Sequence, residues 1–198
     1  MKLYHGSTRN IDKTLTPHKA FSREDYEPRV YFTDLKEKAI AYAINPIDSY
    51  IKSRTGIDQH YSAMSAHMRY AKGVLEIMEC YPNMFEIYHS PAYIYVCNVV
   101  AEKKNDHEYI LKGEVDFAEK LYIEDVYSEL IKLEKCGILK LYKYDDLDCW
   151  KTYHQYDYVE SGLQSRASYC SYKEELDFFE MVSHYFPKIK QHIKLVSN

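Results

Sequence analysis

The chain has 198 residues, a formal net charge of −4, an isoelectric point near 6.1 and a mean hydropathy of −0.53. That length can bury a sizeable core within one domain carrying an appended region. No run approaches the roughly 20 apolar residues of a membrane-crossing helix, and the acidic balance opposes non-specific nucleic-acid binding, which needs Lys and Arg against phosphates.

A small anionic ligand stays open, because backbone amides and single cations hold a phosphate without a basic surface. Five cysteines (Cys80, Cys97, Cys136, Cys149 and Cys170) form an odd set without close pairs. That opposes a disulfide framework or a zinc site. With a strand expected within two residues of Met1 in place of a secretory leader, the expected home is a reducing cytoplasm. The 22 tyrosines suit strands and core edges, and a minority of them suit a ligand or partner surface.

In chain order, residues 2–7 read as a strand and residues 8–28 as a loop punctuated by Pro17 and Pro28. Residues 29–33 read as a second strand. Asp34 with Glu37 three positions on has the form of a capping box. A short helix is expected from Lys36 to Ile44, burying Ile40, Ala43 and Ile44 and ending at Asn45-Pro46. Over 60–79, Met64, Met68, Ala71, Leu75 and Met78 recur at steps of four and three, which predicts a helix with one buried face, weakened at Gly73. Tyr81-Pro82-Asn83 reads as a turn.

Residues 92–100, 108–115 and 121–126 are β-rich, with Lys-Lys-Asn-Asp (103–106) as a hairpin-like connection between the first two. Residues 128–136 read as a helix and 138–144 as a strand, while 145–172 is polar and tyrosine-rich. A closing amphipathic helix is expected over 173–194 through Leu176, Phe179, Val182, Phe186, Ile189 and Ile193, kinked at Pro187.

Three fragments carry more than packing needs: Leu3-Tyr4-His5-Gly6-Ser7, then Val30-Tyr31-Phe32-Thr33-Asp34 continuing to Tyr42, then Glu108-Tyr109-Ile110-Leu111. In these segments and in their order the chain resembles the ADP-ribosyltransferase superfamily, in its histidine–tyrosine–glutamate branch, which includes the poly(ADP-ribose) polymerase catalytic domain and related bacterial enzymes. The resemblance covers residues 1–44 closely and about 92–126 by pattern. It implies an α+β fold: a split antiparallel or mixed sheet with flanking helices. Residues 1–130 would form that domain with a helical insertion at about 46–90, and 131–198 a mostly helical extension packed on it.

The same resemblance implies NAD+ as co-substrate and no metal. His5 would bond a ribose hydroxyl, and Gly6 would let the backbone approach the nicotinamide carboxamide. Tyr31 and Tyr42 would flank the pyridinium ring, where a cationic ring gains from aromatic faces. Glu108 would hold the 2′-hydroxyl and stabilise the oxocarbenium-like sugar, as a fixed carboxylate favours a cation that develops only in the transition state. Many relatives place a serine on the carboxamide from the helix. Ala39 stands there here, with Ser7 and Thr33 as substitutes.

Each residue also has an ordinary structural reading: His5 as a strand-end histidine satisfied by backbone, Tyr31 and Tyr42 as packing aromatics, Glu108 as a turn carboxylate beside Asp106 and His107. His60 and His67, seven apart, read as helix surface. Asp145-Asp146-Leu147-Asp148 reads as an exposed turn, and no phosphate-binding glycine loop or nucleophilic cysteine motif is present. The expectation is a mono-ADP-ribosyltransferase with an unassigned acceptor: protein, nucleic acid or small molecule. Two alternatives stand beside it, a non-catalytic binding module on the same fold and an RNA 2′-phosphotransferase using Arg9, Arg23 and Arg29.

Overall fold

Alternation of small or apolar with polar residues sets the first strand, β1 (Lys2–Ser7), which lies inside the sheet and so must satisfy both faces. The computed structural model describes residues 1–18, 27–44, 67–79, 84–143 and 146, together with 164, 167, 168, 176, 179, 180, 183 and 187–194. The further elements are β2 (Thr14–Leu15), β3 (Val30–Thr33), α1 (Lys36–Tyr42), β4 (His67–Ala71), β5 (Val74–Met78), β6 (Ala92–Asn98), β7 (Glu102–Asn105), β8 (Glu108–Leu111), β9 (Val115–Asp116), β10 (Glu119–Ile123), α2 (Val126–Lys135) and β11 (Leu139–Tyr142). Short 3₁₀ turns cover Met84–Tyr88 and Pro187–His192. The class is α+β.

The main sheet is antiparallel throughout, in the order β10-β6-β1-β3-β8-β7. β1 pairs β6 over six rungs, from Lys2↔Asn98 to Ser7↔Tyr93, but meets β3 at the single rung Tyr4↔Thr33. The sheet is therefore loosely joined between β1 and β3. A second, mixed sheet has the order β11-β5-β4, with β11 parallel to β5, and β2 pairs β9 as a small ribbon.

The two faces of the main sheet bury separate cores. On one, Ala39, Ile40, Ala43 and Ile44 pack with Ile94, with Val126 and Leu130 of α2, and with Leu75, Ile77 and Leu139 of the second sheet. Ala167, Phe179 and Ile189 from the C-terminal region join this core. On the other, Leu3, Val30, Phe32, Tyr95, Cys97 and Tyr109 pack beneath Leu15. Burial of such side chains contributes roughly 25 cal/mol per Å² and supplies the main favourable term.

The structure corrects several expectations. In its described part, residues 67–79, the helix expected over 60–79 is replaced by the β4–β5 hairpin. Lys72 and Gly73 both take positive φ (52° and 83°), the signature of a two-residue primed turn. Met68, Ala71, Leu75 and Met78 match helical steps only because two strands and a turn happen to repeat at that spacing. The strand alternation is visible within Val74-Leu75-Glu76-Ile77, where Leu75 and Ile77 are buried.

Lys103, Lys104 and Asn105 are strand residues of β7, and the turn that follows is Asp106-His107. The partner of β7 is β8, while β6 lies between β10 and β1. The strand expected over 121–126 is β10, ending at Ile123. Asp125 accepts from the Ser128 backbone N–H at 2.6 Å and caps α2. Asp34 does not cap α1; the cap position is Leu35, whose N–H donates to Thr33 Oγ1 at 3.1 Å. The 3₁₀ turn Pro187–His192 replaces the last part of the closing helix. Asn45-Pro46, Tyr81-Pro82-Asn83, His60, Val182 and Phe186 lie outside the described residues.

Candidate functional site

Strand alternation decides which side chains meet. Glu108 pairs with Thr33, and Tyr31 with Ile110, so Tyr31, Thr33 and Glu108 share the face that carries α1. Lys38 and Tyr42, four apart on α1, reach down to that row. The Tyr42 hydroxyl donates to Glu108 Oε1 at 2.9 Å, and Lys38 Nζ lies 3.0 Å from the same oxygen. Asn105 Nδ2 donates to Glu108 Oε2 from β7. Lys104 Nζ sits 3.9 Å from Oε2 and 5.3 Å from the centre of the Tyr31 ring.

The carboxylate is thus gripped by a phenol, an amide and two ammonium groups. Burial pushes the Glu108 carboxyl up, but the hydrogen bond and charge of Lys38, with the Tyr42 and Asn105 bonds, outweigh it and hold the group below its ordinary range. The same environment raises the Tyr42 phenol, first through burial and then through the Glu108 charge. Glu108 is therefore ionised at neutral pH while Tyr42 keeps its proton. Sequence reasoning missed Lys38, Lys104 and Asn105. The i, i+4 spacing of Lys38 and Tyr42 was the available signal for the first.

His5 approaches β3 from the other side. It lies opposite Tyr95, and its ring centre is 6.1 Å from Phe32 and 6.2 Å from Tyr95, both in the second core. Its Nδ1–H donates to the Tyr31 carbonyl at 2.8 Å, beyond the single β1–β3 rung. Burial lowers the imidazole below its ordinary range, against the opposing pull of that bond. So the structure joins Tyr31, Thr33, Tyr42 and Glu108 on one face, and ties His5 to them only through the Tyr31 backbone. Ser7 accepts from the Arg9 N–H at 3.1 Å in a local turn, and its alternation places it with His5.

Gly6 has a different reason to be glycine than the one expected. A Cβ there would lie 2.0 Å from the Ala39 carbonyl oxygen and 3.0 Å from Ala43 Cα. Strand β1 and helix α1 touch backbone to backbone at this point. Ala39 is 1% exposed beneath the contact, so the space that a carboxamide would enter between positions 6 and 39 is filled by the chain itself.

A concavity of about 570 Å³ lies elsewhere, between Lys36 and Ile40 of α1, Leu121 and Tyr122 of β10, and Ser128 of α2. Residues 36 and 40 stand roughly 200° around the helix from 38 and 42, so this concavity and the Glu108 cluster flank opposite sides of α1. Comparison with family models, with curated proteins and with solved structures finds no match to this chain.

Proposed function

We propose that the chain is an NAD+-dependent mono-ADP-ribosyltransferase whose working carboxylate is Glu108. The reading rests on one observation: an ionised carboxylate at a strand end, bonded by the Tyr42 phenol and beside two ammonium groups, on the face shared by Tyr31, Thr33 and Tyr42. Loss of nicotinamide leaves positive charge on the ribose, and a carboxylate already desolvated and fixed stabilises that charge without reorganising. The Tyr31 ring already draws the Lys104 ammonium to its face, which supports a similar attraction for a cationic pyridinium ring. Lys38 and Lys104 also suit a diphosphate.

In this reading Tyr31 and Tyr42 flank the ring, buried Thr33 supports the start of α1 through its bond to the Leu35 N–H, and a ribose hydroxyl replaces one donor on Glu108. His5 acts as a positioning residue by fixing the Tyr31 backbone, and Gly6 sets the spacing of β1 and α1. The test is nicotinamide release from labelled NAD+. The parent protein should cleave NAD+, and Glu108→Gln should lower the rate about 100-fold or more while the circular dichroism spectrum is kept. Equal rates for the two proteins would remove Glu108 from the chemistry.

A second reading is favoured by the Gly6–Ala39 contact and by the direction of His5. In it the same fold is a non-catalytic binding module and the Glu108 cluster is a structural clasp between α1, β7 and β8. Titration calorimetry separates the two: this reading expects no heat with NAD+.

A further inference from the structure

We propose that the open edge of β10 is a dimerisation surface, where a second copy of this chain pairs antiparallel about a two-fold axis at Tyr122. The main sheet ends in two edge strands, β10 and β7, each with one side that pairs with no described strand. The two are finished differently. β7 is exposed along its whole length, carries Glu102, Lys103 and Lys104, and shifts register between Lys103 and Asn105. Charge and a bulge are devices that keep an edge from pairing. β10 instead keeps an unbroken register against β6 from Glu119↔Val96 to Ile123↔Ala92, and its second half is Leu121-Tyr122-Ile123.

Both faces of β10 are set up to continue. On the face of the second core, the Tyr95, Tyr93 and Tyr122 rings form a row with centres 6.3 and 5.3 Å apart. The row runs out to the edge and stops there, leaving Tyr122 60% exposed. On the α1 face, Leu121 and Ile123 are half-buried and line the open concavity with Ile40. Lys120 lies on the Tyr122 face, with its Nζ 5.7 Å from the centre of the Tyr93 ring. Glu124 follows Tyr122 at the same spacing.

A two-fold axis normal to the sheet leaves every side chain on its own face, so the pairing must centre on a residue. Centred on Lys120, it sets ammonium against ammonium. Centred on Leu121, it sets Glu119 against Ile123. Centred on Tyr122, it sets Tyr122 against Tyr122, Leu121 against Ile123, and Lys120 against Glu124 at both ends. Side chains opposed in this way have Cβ atoms about 5 Å apart, within reach of ring, apolar and charged contact.

The charges are ready for that register. Lys120 donates to Asn10 Oδ1 at 2.8 Å and to the Ile11 carbonyl at 3.1 Å, which fixes the ammonium and leaves one of its three protons for a carboxylate. Glu124 makes no hydrogen bond or ion pair among the described residues. Asp125, next in line against Glu119, is committed to the Ser128 N–H at the start of α2. The interface is isologous and stands apart from the Glu108 cluster, which lies toward the β7 edge.

The experiment is sedimentation equilibrium of the full chain from about 1 to 200 μM, a range suited to an interface below the standard size. The parent should associate to a dimer. Lys120→Glu and Glu124→Lys, each alone, set like charges together at both ends and should weaken the dimer about tenfold or more. An equimolar mixture of these two variants opposes unlike charges again, and should associate within about threefold of the parent. Tyr122→Thr keeps strand propensity and the circular dichroism spectrum, removes the central ring pair, and should weaken the dimer about tenfold. A parent that stays monomeric throughout, a dimer that neither charge reversal weakens, or a mixture no stronger than its components would overturn the proposal. If Lys120→Glu, which loses its bonds to Asn10 and Ile11, fails to fold, Glu124→Lys and Tyr122→Thr decide: a dimer of parental strength in both overturns it.

Discussion

Tyr42 on α1 donates its hydroxyl to the Glu108 carboxylate on β8 at 2.9 Å, and Lys38 one turn earlier pairs with the same oxygen. Helix α1 has seven residues and no side-chain cap, too short to be stable alone. Its orientation comes from tertiary contacts: the buried Ala39, Ile40 and Ala43 below, and this clasp at its end.

The clasp separates the two parts of the Tyr42 side chain. Tyr42→Phe keeps the ring and removes one hydrogen bond to a charged group, worth roughly 1.5 kcal/mol. On the proposed chemistry, kcat for nicotinamide release should fall about tenfold while KM for NAD+ stays within about twofold. Tyr42→Ala should raise KM as well, because the ring is lost. If the Phe variant raises KM and leaves kcat alone, the hydroxyl binds substrate in place of tuning Glu108.

How much of this was legible in the sequence follows from the range of the interactions. Strands β1, β3 and α1 are local: an apolar alternation ending in His5-Gly6, a second ending in Thr33, and a helical stripe at Ile40, Ala43 and Ile44. Each is readable from neighbouring residues. The β4–β5 hairpin was not, since its apolar steps also fit a helix and a Lys-Gly turn carries a weaker signal than Asn-Gly. At the candidate site, Glu108, Tyr31 and Tyr42 could be picked out by residue type and order. That His5 faces Phe32 and Tyr95 depends on strand register, which only the assembled sheet defines. The backbone contact behind Gly6 is equally non-local.

Glu108 also gives the fold a pH dependence whose sign is fixed. Its folded pKa is lowered relative to the unfolded chain, so the stability it contributes is fully present above the unfolded value, about 4.3, and is lost as pH falls through the folded one. The melting temperature of Glu108→Gln should lie below that of the parent by a constant margin from pH 7 to pH 5. The margin should close progressively below about pH 4. A gap that persists undiminished to pH 3 would mean that the carboxylate charge is not what Lys38, Tyr42 and Asn105 recognise.

The contact behind Gly6 makes a sharper demand. A methyl group there meets the Ala39 carbonyl oxygen at 2.0 Å and the Ala39 carbonyl carbon at 3.0 Å. These are backbone atoms, which no rotamer change can move aside. Gly6→Ala should destabilise the protein by about 2 kcal/mol, read as a lower urea midpoint with unchanged slope. Gly113→Ala is the control, because nothing lies within 4 Å of the added carbon there, and it should stay within about 0.5 kcal/mol of the parent. Equal midpoints for the two variants would show that α1 does not rest on β1 as described.

The hairpin turn can be tested in the opposite direction, by stabilising it. Lys72 holds φ at 52°, a left-handed conformation that disfavours side chains with a Cβ, and Gly73 follows at 83°. A helix over the same segment would impose no such preference. Asparagine tolerates the left-handed region and is favoured at the first position of a two-residue primed turn before glycine. No atom lies within 4 Å of a Cβ built at Gly73, so the tip of the turn has room and backbone conformation alone governs the outcome. Lys72→Asn should therefore raise stability by about 0.5 kcal/mol, seen as a higher urea midpoint. Lys72→Ala, a better helix former and a poorer left-handed residue, should give no gain. If alanine stabilises more than asparagine, helix propensity governs this segment in solution and the β4–β5 pairing is wrong.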